Sequence, residues 1–139
     1  MHINNCPFTN CGNNIYRPIL LIRITNTHSQ IFHDTYGIID TGADECAIPA
    51  AYAPLLGHNL QAGITKEIST GNGKTVAYSH ITKFDIFHPL SGEHLYTISD
   101  TPIDFLPNLN MVLLGVNSFL SKLILKIDYP NKIFSINYP

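Results

Sequence analysis

The sequence predicts an all-β domain. Its apolar runs are short and end at Gly, Pro, Asn or Asp. No stretch repeats apolar residues at helical spacing for more than a turn or two, and no strand–helix–strand alternation suggests a parallel α/β sheet. At 139 residues and 45% hydrophobic content, the chain fits one domain with a sizeable core.

The elements follow in order. Residues 1–15 read as a flexible polar arm, rich in Asn, ahead of a domain spanning 16–139. Residues 18–24 (PILLIRI) form a strand, residues 25–29 a turn, and residues 30–34 begin the returning strand. YGIID at 36–40 is strand-like, with Gly37 marking a close approach by a neighbour. DTGAD then breaks the apolar run with small and acidic residues and reads as a loop. Residues 47–56 carry two prolines and suit a turn with one helical turn at most.

Two β-capable arms, 63–69 and 75–80, flank Thr70-Gly71-Asn72-Gly73-Lys74, the composition of a hairpin tip. The second arm continues through HITKFDIF at 80–87, a turn follows at Ser91-Gly92, and residues 95–99 make another strand. Pro102, Pro107 and two asparagines place residues 102–110 in a loop. Residues 111–114 are a tight apolar strand ending at Gly115, and residues 117–123 a short helix. Two last strands, 123–128 and 132–137, surround Tyr129-Pro130-Asn131. The total is about eight or nine strands and one short helix.

Composition excludes several functions. A formal net charge of -2 and the lack of a basic tract argue against nucleic acid as partner. No run of apolar residues is long enough to span a membrane. The Asn-rich start lacks the apolar stretch of a signal peptide, and three cysteines do not suit a disulfide-stapled scaffold, so a cytoplasmic location is expected. Cys6, Cys11 and Cys46 and the seven scattered histidines form no metal-ligand spacing; no metal or cofactor is expected.

The chemistry concentrates in Ile38-Ile39-Asp40-Thr41-Gly42-Ala43-Asp44, where an apolar strand delivers an aspartate into a loop of small residues. With STGNGK at 69–74, VLLG at 112–115 followed by VNSFL, and the closing LILKIDYPNKIFSI, the chain resembles the retropepsin-like aspartic peptidases, single-lobe proteins that include the retroviral proteases and bacterial relatives. The resemblance covers about residues 16–136 and implies the retropepsin-like acid protease fold: one lobe, one short helix and a closed, barrel-like core.

It also implies roles. Asp40 would be the catalytic carboxylate, Thr41 the residue bonding across a two-fold axis, and Gly42 the glycine whose carbonyl meets substrate. Ala43 stands where two-lobed relatives carry Ser, which removes one hydrogen bond to the carboxylates and raises the expected working pH from strongly acid. Ala43, Asp44, the flap hairpin at Gly71, Asn72 and Gly73, and Leu113 and Leu114 would bind substrate or support the site.

Peptide hydrolysis of this kind needs an activated water and a proton donor. Two carboxylates about 3 Å apart share one proton and supply both. The chain has one Asp-Thr-Gly triplet, so a second chain must bring the second Asp40, and a homodimer acting on a peptide or protein is expected. The segment around Tyr16-Arg17-Pro18 resembles the retroviral one whose arginine reaches the partner's loop; Arg17, with Thr41 and Asp44, would then lie at the dimer interface. Val116 departs from the family, whose retroviral members have arginine there. Residues 48–56, 76–78 and 102–114 are the expected walls of mostly apolar pockets. The alternative is a catalytically weak binding or assembly domain of the same fold.

Overall fold

The structure is a computed structural model that describes residues 2–70 and 73–139. It is all-β. In chain order the strands are β1 (His2–Pro7), β2 (Thr9–Asn10), β3 (Tyr16–Arg17), β4 (Ile19–Thr25), β5 (Phe32–Ile39), β6 (Cys46–Pro49), β7 (Ile64–Thr70), β8 (Gly73–Phe87), β9 (His94–Leu106), β10 (Val112–Leu114), β11 (Ile124–Asp128) and β12 (Ile133–Asn137). Helix α1 (Tyr52–Leu55) is a single turn, and 3-10 turns occupy Leu60–Ala62 and Leu120–Lys122. No helix among the described residues is long and apolar enough to cross a membrane.

Seven strands form one sheet in the order β4-β5-β10-β6-β9-β8-β7, and β8 also pairs with β4, so the sheet closes into a ring. Strand β8 manages both because it is 15 residues long. Its first half pairs with β7, its last residues with β4, and β9 follows it along most of its length. Inside the ring lies the main core, built on Leu20, Ile22, Ile24, Ile48, Phe84, Ile86, Phe105, Leu114 and Phe119. Strands β1, β12 and β11 make a separate sheet with β12 in the middle.

Three sequence expectations change. Residues 1–15, expected to be a flexible polar arm, instead supply β1, which pairs antiparallel with β12 and buries Ile3 and Cys6. Its pattern is hidden because a bulge between those two residues breaks the two-residue alternation, with Asn5 at φ 48°. Residues 102–106, expected in a loop, belong to β9. Pro102 is tolerated because β9 gains its second neighbour, β6, only from Ile103 onward, and a bulge with Asp100 at φ 51° precedes it. The helix expected at 117–123 is reduced to the 3-10 turn, while residues 47–56 carry the single helical turn allowed for them, α1, with Pro54 inside it.

One half-buried imidazole yields a stability prediction. The His58 ring packs 4.8 Å from His80 and 5.5 Å from Phe105. Its Nε2 is buried with no hydrogen-bond partner among the described residues. Burial, then the neighbouring His80 and His28, pushes its pKa down from 6.5 to about 4. The unfolded chain therefore binds a proton that the folded chain refuses across that interval. This contribution to stability is complete above about pH 6.5 and declines as pH falls toward 4. Replacing His58 with Phe should flatten the fall in urea midpoint between neutral and acid pH. An equally steep fall in the variant would assign the acid sensitivity to other groups.

Candidate active site

The loop carrying Asp40 is held by a strand threaded through it. Strand β10 lies between β5 and β6, parallel to the first and antiparallel to the second. Those are the two strands that enter and leave the Asp-Thr-Gly loop. The Asp40 N–H donates to the Leu114 carbonyl at 3.1 Å, the Val116 N–H to the Ala43 carbonyl at 2.9 Å and the Asn117 N–H to the Asp44 carbonyl at 2.8 Å. Gly37, opposite Val112, makes room for Leu114: a Cβ there would lie 2.9 Å from Leu114 Cγ. This is the close approach expected of Gly37.

Within the loop, the Gly42 N–H donates to Asp40 Oδ1 at 2.9 Å, which fixes the carboxylate's orientation. A Cβ on Gly42 would crowd that same oxygen at 3.3 Å, so glycine suits the position. Asp40 is half-buried, whereas Thr41, Gly42 and Asp44 are exposed.

Asp40 opens on a groove of about 490 Å³ lined by Gly42, Ala43, Asp44, Glu45, Ala47, Lys66, Ile68, Ser69, Asp104, Leu106 and Leu113. Strand register explains the floor. Leu113 pairs with Ala47, Ala47 with Asp104, Asp104 with Ser79, and Ala77, two residues from Ser79, pairs with Lys66. All therefore share one face of the sheet. Ala47, Ala77 and Leu106 form a second, small apolar cluster there, and the two alanines keep the groove deep.

The expected site residues divide accordingly. Asp40, Gly42, Ala43, Asp44 and Leu113 come together at the groove. Leu114 does not; it points to the opposite face and is fully buried in the main core, because adjacent residues of a strand alternate. Arg17 sits exposed on β3, opposite Thr9, and does not line the groove. The other arginine, Arg23, is committed to a two-pronged pair with Asp34 at 2.7 and 3.0 Å. Gly73 has φ 104° and pairs with Thr70 as the first residue of β8, so β7 and β8 are the arms of the expected hairpin. Gly71 and Asn72, expected at its tip, lie outside the described residues.

Of the expected walls, residues 102–114 contribute Asp104, Leu106 and Leu113, whereas Ile48 is buried in the core. Polar groups also line the groove that sequence patterning did not single out. Glu45 accepts hydrogen bonds from Asn117 Nδ2 at 3.1 Å and Ser118 Oγ at 3.3 Å. Lys66 Nζ stands 3.0 Å from Asp104 Oδ2. The three cysteines are free, Cys6 and Cys46 buried and Cys11 exposed, and burial pushes the Cys46 thiol up to about 12. Among the described residues no group of His, Cys, Asp and Glu has the arrangement of a metal site.

The family described as retroviral aspartyl protease matches residues 14–127. The chain belongs to that family. Among solved structures it is similar to a retropepsin-like aspartic protease from Rickettsia conorii, with TM-score 0.64 and 18% identity over 99% of this chain and 91% of that one. The fold is therefore retropepsin-like. No curated protein matches the chain. The threaded β10 and the loop around Asp40 are thus features of a retroviral-type aspartyl protease domain, and Val116 supplies a backbone bond to the loop without an arginine side chain.

Proposed function

We propose that the chain is an aspartic endopeptidase acting as a homodimer, in which two Asp40 carboxylates, one from each subunit, activate the water that cleaves a peptide bond. The observation that carries this reading is Asp40 itself, oriented by the Gly42 N–H at the head of a groove large enough for peptide side chains. Of the other carboxylates lining that groove, Glu45 is held by Asn117 and Ser118 and Asp104 by Lys66. Asp44, which also lines the groove, is exposed and lies outside the Asp-Thr-Gly triplet, so the reading takes the second catalytic carboxylate from the same residue of a second chain, related by a two-fold axis.

In this mechanism one Asp40 carboxylate takes a proton from water, and the other donates toward the carbonyl oxygen of the substrate. Water's oxygen bonds to the carbonyl carbon, which becomes tetrahedral; its C–N bond then breaks as the Asp40 that took water's proton passes it to the departing nitrogen. Thr41 would bond across the axis, and Gly42 would present its carbonyl to the peptide backbone. The β7–β8 hairpin, with Gly71, Asn72 and Gly73, would cover the extended peptide, and Ala43, Asp44 and Leu113 would contact it. Leu114 would support the loop from beneath. Arg17 would reach Asp44 of the other subunit.

Dilution tests the shared site. Activity per chain is expected to fall as the protein is diluted, in step with sedimentation mass moving toward 15.5 kDa. A fully active monomer of that mass would end the two-chain mechanism. A dimer that binds peptides without cleaving any would favour a binding domain on the same fold.

A further inference from the structure

The groove carries a carboxylate that the proposed chemistry does not use. Asp104 lies on β9 in a stretch where the other side chains, Ile103, Phe105 and Leu106, are apolar and buried. It is itself only 6% exposed, yet it faces the groove rather than the core. A carboxylate so placed gives up hydration and needs cations or donors in its place. Among the described residues one group answers it. Lys66 stretches from β7 across the small Ala77 on β8 and sets Nζ on Oδ2, while Oδ1 accepts no hydrogen bond from any of them. An ionised carboxylate can accept about four hydrogen bonds, so Lys66 leaves most of its capacity unfilled.

The surrounding charge is mostly negative. Asp40, Asp44, Glu45 and Asp104 line the groove against the single ammonium of Lys66. Apolar Ala47, Leu106 and Leu113 form the bed leading to Asp104. An aliphatic stem ending in a cation fits that sequence of surfaces: methylenes on the leucines, charge at Oδ1.

We propose that Asp104 is a specificity-determining residue that selects peptides carrying a lysine or arginine side chain close to the scissile bond. Lys66 holds one oxygen and keeps the empty groove from presenting a bare buried charge; the substrate's cation takes the other. The inference rests on the peptidase reading, because it names the substrate of that same groove.

The test separates binding from cleavage. Reduced-amide peptides, which lack the cleavable bond, carry lysine or norleucine at each position in turn, and their binding to the intact protein is followed by fluorescence anisotropy. At one position lysine should bind about tenfold or more tighter than norleucine, the difference expected of a charge-assisted hydrogen bond in a shielded site. In Asp104→Asn, a substitution of nearly equal size, that ratio should collapse toward one. The ordinary-amide versions are then assayed for hydrolysis by the wild-type protein. Equal binding of lysine and norleucine peptides at every position, or no binding of either, overturns the inference. So does a lysine preference that survives in Asp104→Asn. Lysine-selective binding with no hydrolysis of any peptide upholds the selectivity and overturns only the peptidase reading.

Discussion

Asp40→Asn is expected to remove peptide hydrolysis, lowering kcat by about three orders of magnitude or more, while fold and subunit association persist. The substitution keeps the oxygen that accepts the Gly42 N–H at 2.9 Å, so the loop has no reason to move. It replaces the proton-exchanging oxygen by an amide that can neither accept a proton from water nor donate one to the departing amine with useful driving force. In the proposed dimer both carboxylates would be lost at once, because both would come from the same position. The assay is hydrolysis of a fluorogenic peptide by protein freed of contaminating peptidases, with sedimentation confirming the subunit state. A variant as fast as the parent protein would remove Asp40 from the chemistry.

Gly115→Ala should damage the fold at its most crowded point. A Cβ there would fall far inside contact with the Glu45 carbonyl group and 2.8 Å from the Ala43 oxygen. All of these are backbone atoms, so no side-chain rotation relieves the clash. The loop must shift away from β10, and the bonds from Asp40, Val116 and Asn117 that hold it would be strained or lost. The expected loss is about 3 kcal/mol or more, the upper range for overpacking, with activity falling in parallel. Gly92→Ala provides the contrast: its φ is 74° with nothing within 4 Å of an added Cβ. That change should lose only about 1–2 kcal/mol, the strain of a left-handed residue alone. Urea midpoints compare the two, and a Gly115 variant no worse than the Gly92 variant would refute the crowding argument.

What was legible in the sequence was local. The apolar strand running into Asp40, the two arms around Gly73 and the Val112–Leu114 strand before Gly115 each announce themselves within a few residues, because strand, turn and glycine signals act at short range. Strand β1 was hidden by its bulge at Asn5, and the end of β9 by a proline that an edge position excuses. The Lys66–Asp104 pair was out of reach for another reason. Alternation shows that the two faces of a strand differ, but only the register of β7, β8 and β9 decides that these two residues share a face within reach. Leu113 and Leu114 make the same point in miniature: adjacent and equally apolar, one lines the groove and the other fills the core.

The threading of β10 bears on when in the life of the polypeptide this site can exist. Gly37 pairs with Val112, and the Asp40 N–H donates to the Leu114 carbonyl. A chain still emerging from the ribosome, with Asp40 already outside but Leu114 still in the exit tunnel, has no strand to hold that aspartate in place. Pairing across so long a stretch of chain is also slow to form, since the intervening loop must be closed before any bond rewards it. The carboxylate loop is thus completed only after most of this domain is available. Nascent and truncated chains ending before β10 carry Asp40 without the framework that would let it take part in proteolysis.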